Sequence, residues 1–229
     1  MSLLSLFLGG VFRGFEQIAL DPAAYDRIQA ELDVYDYAGL EPEAQSRVNR
    51  VLAGYISGEL PSIDTQEEVF GTYGEVFNDS EKAHMTDVLH LFRLERAVRT
   101  VCLAAGFFLL ALSLLLSRNH LMQTALSALK AFALVLLLAA TAGILLYVFC
   151  GFDRLFILFH KLLFTNELWL MDPRTDAMIR MLPGEFFLKI AAQSGLSALV
   201  YGIAYTAAAW AAFPAAGLII DKSRREQTP

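Results

Sequence analysis

Three long stretches of this chain contain no charged residue: Thr100–Leu116, Ala131–Cys150 and Leu196–Ile220. About 20 apolar residues cross the hydrocarbon core of a bilayer, so these runs exclude an ordinary soluble domain. Cysteine is nearly absent. Cys102 and Cys150 both lie inside apolar runs, where a thiol behaves as a small hydrophobe, and no disulfide framework exists. Positive charge is scarce where polarity is high. Asp21–Ala97 holds 16 acidic residues against six Lys or Arg, which argues against nucleic acid as a partner. There is no GxSxG elbow, phosphate-cradling glycine loop, kinase motif set, HExxH or CxxC.

What is present points to an all-α integral membrane protein. Of 229 residues, 56% are hydrophobic and the mean hydropathy is +0.47, above the usual soluble composition. We expect about four transmembrane helices, the first short or truncated, with a helical extracytoplasmic domain between the first and second. The divisions are a membrane segment over 1–20, the acidic domain over 21–97 and a second span over 98–116. A cytoplasmic turn follows over 117–130, then a third span over 131–150, a loop over 151–189, a fourth span over 190–220 and a tail over 221–229. No Lys or Arg precedes "MSLLSLFLGGVF" and no small-residue cleavage site follows, so a removed signal peptide is not expected. Orientation follows from Lys222, Arg224 and Arg225 beside the last span, which make that tail the cytoplasmic end. Counting back, 21–97 and 151–189 face outside, and the turn with Arg118 and His120 faces inside.

Within the acidic domain, Pro22 opens a helix with Tyr25, Ile28 and Leu32 on one face. A second runs over 41–56 with Val48, Leu52 and Tyr55 aligned. Residues 58–74 read as loop, and a third helix begins near Asn78–Ser80 and continues into the membrane. Past Cys150, Asp153, Arg154, His160 and Lys161 recur seven apart. They predict a polar stripe on an amphipathic interfacial helix, sharing a cavity. Trp169 belongs at the same depth.

The stretch "FHKLLFTNELWLMDPRTDAMIRMLPGEFF", from Phe159 to Phe187, is far richer than a connection requires. Its His160 and the His84 of "EKAHMTDV" both fall near the outer membrane surface, on different elements. Imidazole titrates near neutrality and is the usual proton shuttle. Asp87 lies three residues beyond His84 and Glu81 three before it, so either carboxylate can orient that imidazole. Two histidines with Asp87 also fit a three-ligand zinc centre, and that alternative stays open.

These two stretches resemble the signatures of the bacterial lipoprotein intramolecular transacylases, a family grouped with Gram-positive membrane proteins of unassigned function. The resemblance implies a transferase of lipoprotein maturation in the cell membrane. It would move the sn-2 acyl chain of a diacylglyceryl-cysteine lipoprotein to the α-amino group of that cysteine. On this reading His84 and His160 are catalytic, with Asp87 orienting a histidine. Glu81, Asn166, Trp169, Asp172 and Asp176 bind substrate or hold the loop over the lipid head region. No cofactor or metal is implied, and the partners are a diacylated lipoprotein and membrane lipid. The substrate's own amine as nucleophile accounts for the missing serine elbow. Where the family places a basic residue after the first signature, this chain has Leu89. Two other readings remain: a metal-dependent membrane hydrolase, and a non-catalytic assembly partner with an acidic receptor domain.

Overall fold

The computed structural model describes residues 1–116 and 121–226. Arg118 and His120 of the expected cytoplasmic turn lie outside the described residues, as do the side chains of Lys222, Arg224 and Arg225. The helices are α1 (Ser2–Ala19), α2 (Pro22–Leu32), α3 (Tyr35–Ala38), α4 (Pro42–Ser57), α5 (Asp79–Leu116), α6 (Leu121–Leu163), α7 (Ala177–Met181) and α8 (Gly184–Glu226). A hairpin of β1 (Gln66–Val69) and β2 (Thr72–Glu75) interrupts the helical order.

Among the described residues, α5 and α8 up to Ala215 are long and apolar enough to cross a membrane. A third crossing is available if α1 and α2, which meet at 59°, form one broken span. The expected third span, 131–150, lies within α6, and several of its side chains lie outside the described residues.

The chain divides into two compact units. One comprises 1–14, 96–149 and the chain from 197 onward. Leu3, Leu6 and Phe7 of α1 pack there with Leu110 of α5, Phe132 of α6 and Phe213 of α8. Close backbone approach dictates two of its glycines. A Cβ on Gly10 would stand 2.7 Å from the carbonyl oxygen of Tyr201, and one on Gly14 would stand 2.5 Å from that of Ser197.

The other unit comprises 15–95 and 150–196. Asp21 caps α2 by accepting the Ala23 amide, with Pro22 at the first helical position. Pro42 opens α4, and Gly58 closes it at φ 87°. Tyr25, Ile28, Val48 and Leu52 meet Met85 and Leu89 of α5 and Met178, Met181 and Phe186 in one core. Each such side chain contributes about 1.5–3 kcal/mol through burial.

The hairpin corrects the expectation of a loop over 58–74. Val69 pairs with Thr72, and the two turn residues Phe70 and Gly71 both have positive φ, 49° and 77°. That geometry matches the right-handed twist of the strands. Phe70 tolerates it because its amide donates to the Gly39 carbonyl at 2.8 Å and the Arg180 guanidinium lies 5.4 Å from its ring centre. The strands carry too little apolar alternation to announce themselves: the segment reads QEEV and TYGE.

Candidate active site

The first turn of α5 fixes one side of the site. Asn78 and Glu81 form a reciprocal cap: the Asn78 amide donates to Glu81 Oε2 at 2.8 Å, and the Glu81 amide donates to Asn78 Oδ1 at 3.0 Å. Glu81 Oε1 also accepts the Met178 amide at 2.7 Å, so one carboxylate serves the starts of both α5 and α7. From this start, Glu81, His84, Met85 and Leu89 form the buried stripe of α5, at helical spacing. His84 is therefore carried inward by the same periodicity that builds the core; it is 7% exposed.

The second histidine comes from α6 beyond a break. Gly151 has φ 73° and ψ 168°, a conformation essentially restricted to glycine, and the helical segment after it carries His160. Aromatic residues recur every fourth position along it: Phe152, Phe156, His160, Phe164. Ring centres stand 5.8 Å apart for Phe152–Phe156, 4.2 Å for Phe156–His160 and 5.5 Å for His160–Phe164. His160 is 8% exposed. Its imidazole stacks on Trp169 at 4.9 Å and faces His84 at 6.3 Å, while Phe164 also lies 5.2 Å from His84. The result is a histidine pair in an aromatic enclosure.

Both histidines lie outside the uncharged runs, His84 ahead of Thr100 and His160 beyond Cys150. The His84 pKa is lowered to about 4, chiefly by burial and also by the nearby His160, while the charge of Asp87 opposes both. Burial also lowers the pKa of His160, against the opposing effect of the Phe156 carbonyl. Both rings are thus neutral at physiological pH. His160 Nδ1 lies 2.8 Å from the Phe156 carbonyl oxygen, an atom that only accepts. The proton therefore sits on Nδ1, and Nε2 carries the lone pair. His84 Nδ1 is buried without a hydrogen-bond partner among the described residues.

Several expected roles are redistributed. Asp87 was expected to hydrogen-bond a histidine. Instead its carboxylate accepts from Asn166 Nδ2 at 2.8 Å and acts on His84 through charge. Asn166 in turn accepts the Leu168 amide at 3.1 Å on its side-chain oxygen and the Trp169 indole N–H at 3.0 Å on its carbonyl. Glu81, the other candidate for orienting His84, is 1% exposed and committed to two helix starts. Asp172 and Asp176 shape the loop. Asp176 accepts the Asp172 amide at 2.7 Å and Asn78 Nδ2 at 2.8 Å. Arg174 grips Asp172 and lowers its pKa to about 2. The polar stripe also resolves differently: His160 is buried, whereas Asp153, Arg154 and Lys161 are exposed, so the four share no cavity. Both cysteines are free thiols.

Phe156 and Phe164 were missed by sequence reading. The signal that marks them is the fourfold aromatic spacing around His160, legible once the histidine rather than the charges is taken as the centre of the face. Among the described residues no three His, Cys, Asp or Glu side chains are grouped to hold a metal ion.

Similar solved structures extend over the whole fold. One is an in meso structure of the membrane integral lipoprotein intramolecular transacylase Lit from Bacillus cereus. It is 20% identical, with a TM-score of 0.65, and the match covers 98% of this chain and 94% of that one. A structure of the same protein with a histidine-to-alanine mutation matches at 21% identity and a TM-score of 0.61, covering 98% and 92%. No curated protein matches the chain. The likeness to those structures extends to the predominantly helical fold, and among the described residues of this chain two helices are long and apolar enough to cross a membrane. The family profile described as lipoprotein intramolecular transacylase Lit matches residues 1–187. That match spans more than half of the chain, which therefore belongs to the lipoprotein intramolecular transacylase family.

Proposed function

We propose that this protein transfers the sn-2 acyl chain of a diacylglyceryl-cysteine lipoprotein to the α-amino group of the same cysteine, yielding the N-acyl, S-monoacylglyceryl form. The observation that carries the reading is the pair of buried neutral histidines with ring centres 6.3 Å apart. In the proposed reaction the amine nitrogen attacks the ester carbonyl carbon. His160 Nε2 takes the amine proton as the new C–N bond forms. The resulting imidazolium returns that proton to the glycerol oxygen as the C–O bond breaks, so no proton is gained or lost. His84 donates a hydrogen bond to the carbonyl oxygen as charge develops there. Its depressed pKa suits this task, since it keeps the ring a neutral donor throughout the physiological range. The α-amino group has a pKa of about 8, within reach of a histidine base.

Asp87, Asn166 and Trp169 are positioning residues in this reading. The Asp87–Asn166 hydrogen bond ties α5 to the loop, and the bond from the Trp169 indole to Asn166 holds the ring that stacks on His160. Four crossings, with the acidic segment and the 151–189 loop outside and the reaction near the outer leaflet, complete the proposal. The distribution of cations near the apolar runs supports it.

A substrate with a blocked amine separates this reaction from hydrolysis. With a diacylglyceryl-cysteine lipopeptide as substrate, the purified protein is expected to convert the sn-2 ester to an amide without releasing fatty acid. An otherwise identical N-formylated lipopeptide should remain intact. Fatty acid released from the blocked substrate would instead establish a hydrolase.

A further inference from the structure

We propose that the groove lined by Phe156, Ile157, Trp169, Leu170, Met171 and Ile179 receives the migrating acyl chain, and that Ile179 limits the chain length accepted. This deepens the reading above and rests on it. The groove is open along its length and offers about 460 Å³, within the volume range of apolar ligand sites. Phe156 and Trp169 belong to two surfaces at once. Each lines the groove, and each packs against His160, Phe156 tilted at 4.2 Å and Trp169 stacked at 4.9 Å between ring centres. A carbonyl placed beside His160 therefore has this groove as an adjoining apolar path for its hydrocarbon.

Its chemistry fits hydrocarbon. Asp172 is the single charged residue on the lining, and Arg174 engages its carboxylate, leaving no free charge to select a peptide or a phosphate. Another cleft of comparable size, about 440 Å³, is built differently: Glu59, His90, Arg93 and Thr86 contribute to it. The apolar groove is also pre-formed. Its loop wall is held by the Asn166–Asp87 bond and by Asp176 on the Asp172 amide, so little ordering is needed on binding. A chain arriving from the bilayer already has an apolar surrounding, and discrimination must come from fit. Ile179, supplied by α7 and outside the ring contacts with His160, is a lining residue whose size can change without altering those contacts.

The test is competition between two lipopeptides, with lauroyl or stearoyl at sn-2 and identical sn-1 chains, supplied in equal amounts to the full-length protein in mixed micelles. Mass spectrometry reads the ratio of the two N-acyl products at early times. Ile179→Trp is expected to shift the ratio toward lauroyl by about tenfold or more while preserving transfer of the short chain. Ile179→Ala should move it toward stearoyl. Ile157→Trp, on the α6 wall, supplies a second occluding variant. An unchanged ratio in active variants overturns the proposal. A parallel competition varies sn-1 at a fixed sn-2 chain; a variant effect confined to that arm also overturns the proposal, because the groove would then hold the other chain. Absence of any N-acyl product from the unsubstituted protein would overturn the transacylase reading itself, and this inference with it.

Discussion

His160 meets its substrate with the tautomer already chosen, because the Phe156 carbonyl can only accept. His84 is held neutral by burial. These unequal environments make the two residues respond differently to the same replacement. His160→Gln removes the only group proposed to take the amine proton, and acyl transfer should fall about 10²–10⁴-fold, as far as with His160→Ala. Glutamine at position 84 keeps a donor, so His84→Gln should retain more activity than His84→Ala, whose loss is expected at about 10²–10³-fold. Initial rates on a synthetic lipopeptide decide the matter. Equal loss from the two substitutions at position 84 would contradict the donor role. Folding stability carries a second signature. The pKa of His84 is about 4 in the fold and near 6.5 when unfolded, so the unfolded chain binds the proton first as pH falls. The associated stability, about 3 kcal/mol at most, is present above pH 6.5 and lost between pH 6.5 and 4. Thermal unfolding in detergent at neutral and acidic pH should show this slope, and His84→Gln should flatten it.

At the scale of elements, the site depends on one break and one clamp. Gly151 occupies a conformation that a Cβ disfavours by about 1–3 kcal/mol, immediately before the segment bearing His160. Gly151→Ala should lower activity through displacement of that segment, while the near-ultraviolet signal of Trp169 changes with it. Asn166→Ala removes the tie to Asp87 and the acceptor of the Leu168 amide while leaving the backbone carbonyl that holds the Trp169 indole, and it should cost up to about 100-fold in rate. Much at this scale was legible in the sequence. The openings of α2, α4 and α5 follow from Pro22, Pro42 and the Asn78–Glu81 cap, since local chemistry determines them. The hairpin was not, because Glu67, Glu68 and Glu75 give its strands no apolar alternation and its turn begins with Phe70. Helical spacing relates Asp87 to His84 three residues before it, but its hydrogen-bond partner comes from a residue 79 positions away, which helical spacing cannot supply.

For the whole molecule, the apolar runs and the two histidine stretches already implied a membrane protein with a two-part site. The aromatic enclosure emerged only with tertiary structure, since Trp169 reaches His160 through a loop whose course depends on Asp87, Asp176 and Asn78. The proposed topology has its own check. With Cys102 and Cys150 replaced by serine, a cysteine at Tyr73 should react with a membrane-impermeant maleimide in intact cells; labelling only after lysis would reverse the orientation. The most direct measurement is mass spectrometry of a lipoprotein's N-terminal peptide, from cells that make diacylated substrate. It compares cells carrying this protein, lacking it, and carrying His84→Ala or His160→Ala at matched expression. The account predicts an N-acyl, S-monoacylglyceryl cysteine with the intact protein alone, and an unmodified diacylglyceryl cysteine in every other case. A diacylglyceryl terminus left unchanged by the intact protein, or converted equally well by either variant, would contradict it.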